Sequence, residues 1–138
     1  MKLSPAAELA VRGSLILAEN YGEGPMTLDA ICARRDLPKQ YLVKIFASLA
    51  RAGLVNPVRG KNGGYLLARD PHEVTLLDIV EAIEGPIVLN YCQADPPQCD
   101  DITCRIRPLW TDLQNKVREG LSSLTLAECV TGAPTRHL

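Results

Sequence analysis

The chain has 138 residues, close to the usual size of one domain, and 46% of them are hydrophobic, which is enough to form a core. Aromatic residues make up only 4% of the chain, so the core must be mostly aliphatic, which favours helices over a β-sandwich. A net charge of −1 indicates no class of partner, and because neither a membrane span nor a signal-peptide cleavage site is found, we expect a cytoplasmic protein without a membrane partner.

Three helices are predicted in the first 53 residues of the chain. Ser4 followed by Pro5 is typical of a helix start, and this helix should end near the glycines and proline of NYGEGP. Thr27 is the expected cap of a short second helix with Ile31 and Cys32 buried. A third helix is predicted over residues 38–53, because its large apolar residues recur at helical spacing.

A hairpin and two further helices are predicted next. The apolar runs 54–58 and 65–67 flank a glycine-rich turn containing Asn62-Gly63, which is a hairpin signal. Thr75 and Asp78 resemble a capping box at the start of a fourth helix. A last helix is predicted over residues 108–124, with apolar positions spaced by threes and fours as in a seam between packed helices.

Charge is strongly segregated along the chain. Residues 34–69 contain eight basic residues and one acid, a balance of +7, whereas residues 70–104 contain eight acids and no Lys or Arg. The basic part comprises two short helices and a hairpin, which is the order of a winged helix-turn-helix, so we expect a double-stranded DNA operator as its partner. The alternative is a solvated charged face beside a structural hairpin.

Six residues are the candidates for contacting DNA. Lys39, Gln40 and Tyr41 begin the third helix and are expected to reach base edges. Phosphate contacts are expected from three further basic residues: Lys44, Arg59 and Lys61. No Ser/His/Asp set, paired-carboxylate motif or phosphate-binding loop is found, so we do not expect an enzyme.

Three of the five cysteines, Cys92, Cys99 and Cys104, lie in the loop YCQADPPQCDDITCR. Clustered cysteines in a cytoplasmic protein favour metal binding or redox sensing over structural disulfides. From the residues alone three interpretations stay open: an iron–sulfur cluster, a zinc site and a metal-free thiol switch. Structural zinc sites usually contain a pair of cysteines separated by two to four residues. Only Cys99 and Cys104 have such a spacing here, so zinc is disfavoured.

The segments MKLSPAAELAVRGSLILA, DLPKQYLVKIFASLARAGLVNPVRGKNGGYLLAR and VTLLDIVEAIEG resemble the IscR/NsrR/CymR group of bacterial transcription regulators, the Rrf family. The resemblance extends from residue 1 to about Val130. It implies a mainly α fold with a small β-hairpin, in which a winged helix-turn-helix is followed by a long C-terminal dimerisation helix. The corresponding division is 1–70 for the DNA-binding domain, 71–105 for a linking helix and cysteine loop, and 106–138 for the dimerisation helix and tail.

The resemblance also implies a homodimer with an iron–sulfur cluster, [2Fe–2S] or [4Fe–4S], on Cys92, Cys99 and Cys104. The spacing here is C-x6-C-x4-C, where the commonest family pattern is five and five, and the loop length is unchanged. Arg107 occupies the place of a ligating histidine found in some members, and it cannot ligate. Glu8 occupies the place of an acidic ligand that other members take from the partner subunit, so it is our candidate for the fourth ligand.

The sequence therefore predicts a homodimeric regulator whose operator affinity is controlled by a cluster that senses redox state, nitric oxide or iron. Two rivals remain. One is a metal-free regulator of the same fold, switched by thiol oxidation or by a protein partner. The other is a small electron carrier, which would not need the basic segment.

Overall fold

In the computed structural model, which describes residues 2–132, the chain forms six α-helices and one two-stranded antiparallel hairpin. The elements in chain order are α1 (Pro5–Glu19), α2 (Leu28–Arg35), α3 (Lys39–Arg51), β1 (Val55–Val58), β2 (Gly64–Leu67), α4 (Leu76–Glu84), α5 (Arg107–Ser122) and α6 (Leu126–Thr131). This confirms the mainly α fold with a small β-hairpin. Among these residues no helix is both long and apolar enough to span a bilayer.

The first three helices enclose the core of the N-terminal half. The predicted caps are present, because the side chains of Ser4 and Thr27 accept hydrogen bonds from the third residue of α1 and of α2, respectively. The helix α3 turns one apolar face inward, where α1 packs on it. The buried residues of that face are Leu42, Ile45, Phe46 and Leu49. Since the opposite face carries no buried residue, α3 is held in place by one side and leaves the other to solvent.

The hairpin is fastened to the helical core by its buried residues Val55 and Leu67 and by Tyr65. Val58 pairs with Gly64 across the turn, and Tyr65 exchanges two backbone hydrogen bonds with Met26, of 2.8 and 3.0 Å, just before α2. The ring of Tyr65 also stacks on Phe46, with ring centroids 4.8 Å apart. Gly64 has φ of +148°, and a Cβ there would lie 2.2 Å from the carbonyl oxygen of Met26, so this contact requires glycine. The position of this hairpin, the wing of the winged helix-turn-helix, thus depends on the positions of α2 and α3.

The C-terminal half differs from the prediction in one element. The last predicted helix ends at Ser122 rather than at residue 124, and a further short helix, α6, follows after Thr125. The segment between α5 and α6 is hydrogen-bonded to the start of α4. The Leu76 N–H donates to the carbonyl oxygen of Leu124, and the Leu126 N–H donates to that of Val74, both at 2.9 Å. Thr125 forms a capping box, and this local signal, together with the completely buried side chain of Leu126, explains the extra helix.

Two predicted placements of cysteines are corrected. Cys129, which follows the last predicted helix (108–124) in the sequence and would therefore lie outside any helix, lies inside α6, because the capping box of Thr125 starts a new helix there. Cys32 is half-buried rather than buried, since the short helix α2 has only Ile31 fully inside the core. The three-part domain division stays a prediction, and its tail from residue 133 onward lies outside the described residues.

Candidate DNA-binding face and cysteine loop

The exposed face of α3 carries the four residues that the sequence predicts for this helix. Lys39, Gln40, Tyr41 and Lys44 are all exposed, and the Tyr41 side chain has 64% of its surface accessible. Val43, on the same face, is 47% exposed. Large aromatic and aliphatic side chains without a partner inside the fold are suited to contact base edges and thymine methyl groups. A DNA contact by each of these residues stays a prediction.

The basic residues differ in whether they are already paired. Arg34 and Arg35 both contact the carboxylate of Glu19, and Lys39 contacts Asp29 with Nζ 2.7 Å from Oδ1. The hydrogen bond and the charge of Asp29 raise the pKa of Lys39 above its ordinary value.

Within residues 2–132, by contrast, no ion pair is formed by the three residues predicted to contact phosphates: Lys44, Arg59 and Lys61. Those three cations, on α3 and at the wing tip, therefore have charge available for phosphates.

The cysteine loop connects α4 to α5 with little regular structure. Tyr91–Gln93 form a single 3₁₀ turn that contains Cys92, and the carbonyl oxygen of Tyr91 accepts a hydrogen bond from Gln98 at 2.9 Å. All three loop cysteines carry free thiols and are half-buried. They are therefore accessible to a ligand or to a small oxidant.

Arg107, the first residue of α5, is hydrogen-bonded to the backbone of the cysteine loop. Its Nη2 donates a hydrogen bond of 2.8 Å to the carbonyl oxygen of Cys99, and its Nε is buried without a partner in the described structure. No pattern along the chain predicts this contact, and the family resemblance implies only that Arg107 cannot act as a ligand. The contact makes the position of Cys99 depend on the start of α5.

The donors of the cysteine loop match the ligands of a metal centre in type but are not grouped around one point within the described residues. Three free thiols on an irregular loop are the ligands that iron–sulfur clusters use, and one oxygen ligand is compatible with them. Within residues 2–132, however, no three His, Cys, Asp or Glu residues are grouped closely enough to hold a metal ion. Glu8, on α1, is paired with Arg12 of the same helix. The chemistry of the donors thus fits a cluster. The loop would have to close for its three thiols to converge on one.

The helix α5 has no buried residue although it carries large apolar side chains. Ile106, just before the helix, and Leu109 and Leu113 within it are 50%, 60% and 47% exposed. Trp110 is only half-buried. An amphipathic helix with an uncovered apolar stripe is typical of an interface between chains.

Comparisons with known proteins agree with this architecture. The family model described as Rrf2, iron-dependent transcriptional regulator, matches residues 3–132. The chain is 33% identical over 130 residues to the HTH-type transcriptional regulator IscR of Photorhabdus laumondii, which covers 94% of this chain and 79% of that protein.

Two solved structures are similar over nearly their whole length. The structure of CymR, the global cysteine regulator of B. subtilis, has a TM-score of 0.83 and 31% identity, covering 97% of this chain and 99% of that one. The structure of T. potens IscR has a TM-score of 0.78 and 31% identity, covering 100% and 92%. The chain therefore belongs to the Rrf2 family, and it is a winged-helix transcription regulator rather than an enzyme.

Proposed function

We propose that this regulator binds operator DNA as a homodimer, with α3 in the major groove and the β1–β2 wing on the adjacent backbone. The observation that carries the proposal is the outer face of α3, where Lys39, Gln40, Tyr41 and Lys44 have no role in the core. Arg59 and Lys61 at the wing tip, which form no ion pair within residues 2–132, extend that face and would contact phosphates.

The exposed stripe of α5 supports the homodimer. Leu109 and Leu113 lie one helical turn apart on this stripe, and pairing them with the same stripe of a second copy would remove apolar surface from water. A two-fold dimer presents two copies of α3, so we expect two half-sites about one helical turn, roughly 34 Å, apart, or a multiple of that distance.

An iron–sulfur cluster held by Cys92, Cys99 and Cys104 is proposed as the control of operator affinity, with Glu8 of the partner subunit as the fourth ligand. When bound, such a cluster supplies an iron centre that reacts with oxidants or nitric oxide. The free, half-buried thiols supply the donor atoms, and the Arg107 contact transmits the position of Cys99 to α5. Through α5 a change in the loop would reach the dimer interface.

Protein purified without oxygen tests this proposal directly. We expect a brown protein with iron and sulfide in comparable amounts, and loss of both when the three loop cysteines are replaced by serine. Cys32→Ser and Cys129→Ser are the matched controls, since these half-buried thiols lie outside the loop, and both should retain iron. A colourless wild-type protein without iron would rule out the cluster.

A metal-free thiol switch is the second candidate, and one observation favours it. Within the described residues the ligands are not grouped for a metal, yet three thiols share one short loop. Two thiols would form a disulfide while hydrogen peroxide is reduced to two waters, with both thiol protons and two electrons passing to the peroxide. In that case the iron-free protein would change its operator affinity on treatment with peroxide, and a thiol reductant would reverse the change.

A further inference from the structure

The fold brings a carboxylate to a segment that has none of its own. Residues 37–69, which include α3 and the wing, contain no Asp or Glu. Asp29, in the first turn of α2, nevertheless lies against Lys39, with 2.7 Å between Oδ1 and Nζ. Within residues 2–132 this is the ion pair that involves a residue of α3.

Stability does not account for this pair. The side chains of Lys39 and Asp29 are 57% and 79% exposed, and exposed ion pairs contribute little to folding. An exposed carboxylate beside a DNA-binding helix also opposes binding, since it lies near the phosphates that the neighbouring cations attract. As an acid in the first turn of α2, Asp29 favours that helix, but its pairing with Lys39 adds little to folding, so the pair itself is better explained by a role in binding.

Pairing changes what Lys39 can offer to DNA. A free ammonium is attracted to any phosphate, and that contribution is independent of sequence. An ammonium next to a carboxylate has less net charge to offer, and it keeps two of its three N–H groups for other acceptors. Because Lys39 is the first residue of α3, the end that would enter the groove, those donors would be available to the oxygen and nitrogen acceptors of a guanine edge.

We infer that Asp29 is a positioning residue that makes Lys39 read base edges rather than bind phosphates. The inference rests on the proposed DNA-binding function and deepens it by naming the residue that separates operator from random sequence. Asp29 acts through Lys39 and need not touch DNA itself.

A double-mutant cycle on DNA binding tests this role. The probe is a duplex that the wild-type protein selects from a random-sequence library, compared with a scrambled duplex of the same composition. We expect Asp29→Asn to reduce the ratio of the two affinities about three- to fivefold, mainly through tighter binding of the scrambled duplex. In a Lys39→Gln background, Asp29→Asn should leave the ratio unchanged.

The matched control is Asp36→Asn, which removes one negative charge at the opposite end of α2. Asp36 forms no ion pair in the described structure and has φ of +50°, which asparagine tolerates. It should change both affinities by the same factor. If Asp29→Asn also does so, or if its effect persists without Lys39, the positioning role is wrong. A wild-type protein that selects no duplex would instead overturn the proposed function itself.

Discussion

Removing the unpaired cations of the proposed DNA face should weaken binding in a way that salt reveals. The variant Lys44→Gln/Arg59→Gln/Lys61→Gln removes three positive charges per protomer from α3 and the wing, and none of the three is engaged in an ion pair in the described residues. A protein that neutralises a phosphate releases counterions, so log K falls with log salt by about 0.9 per contact. Six such contacts in a dimer give a contribution of about 5 to that slope.

The expected magnitude follows from this slope. Between about 50 and 200 mM salt, the wild-type affinity should fall about 10³-fold more than that of the variant. Fluorescence anisotropy of a labelled operator duplex, titrated at several sodium chloride concentrations, measures both slopes. The iron content of the variant should equal that of the wild type, because none of the three residues is a candidate ligand.

A control separates local charge from total charge. Lys2→Gln/Lys116→Gln removes positive charge outside the basic segment, on the N-terminal arm and on α5, and Lys116 is already paired with Asp112. This variant should keep a slope close to that of the wild type. Equal slopes for the triple variant and the wild type, with the fold intact by circular dichroism, would show that α3 and the wing do not face the phosphates.

Three other changes test the wing, the C-terminal helix and the proposed fourth ligand. Gly64→Ala should lower the free energy of unfolding by more than about 1 kcal/mol in urea titrations, since its Cβ would meet the carbonyl of Met26. Gly60 also has a positive φ, of +107°, but open space around it, so Gly60→Ala should show only the backbone strain and cost less; equal effects would contradict the clash. Leu126→Ala should cost about 2–5 kcal/mol by the same measurement, because this completely buried side chain anchors α6, and a loss below about 1 kcal/mol would mean that α6 does not support the core. Glu8→Ala should alter the absorption spectrum and shorten the lifetime of an anaerobically isolated cluster, and an unchanged spectrum and lifetime would exclude this residue as a ligand.

Local sequence signals predicted most elements because their causes are local. The side-chain caps at Ser4 and Thr27 and the capping box at Thr75 need only a few neighbouring residues, and all three are present in the structure. The helix α6 was missed although Thr125 and Glu128 form the same kind of box, because a continuous apolar spacing from α5 through residue 124 concealed the break. Periodicity alone does not show where one helix ends and the next begins.

The arrangement of the cysteine loop could not be read from the chain. The number and spacing of the thiols indicated a reactive or metal-binding loop, but the distance between the thiols depends on how a largely irregular backbone is held. Here it is held by Arg107 through the carbonyl of Cys99, a contact across eight residues. Irregular segments have no repeating hydrogen-bond pattern, so only such individual contacts decide their shape.

The order of elements, the segregation of charge and the residues of the outer face of α3 were determined by the sequence itself, because helical periodicity dictates which residues share a face. Which cations are free was decided only by the tertiary structure. Asp29 and Lys39 are ten positions apart on different helices, and no pattern along the chain pairs them. Ion pairs between elements depend on the packing angle and on the connecting turn, and these arise only when the core residues beneath α2 and α3 come together.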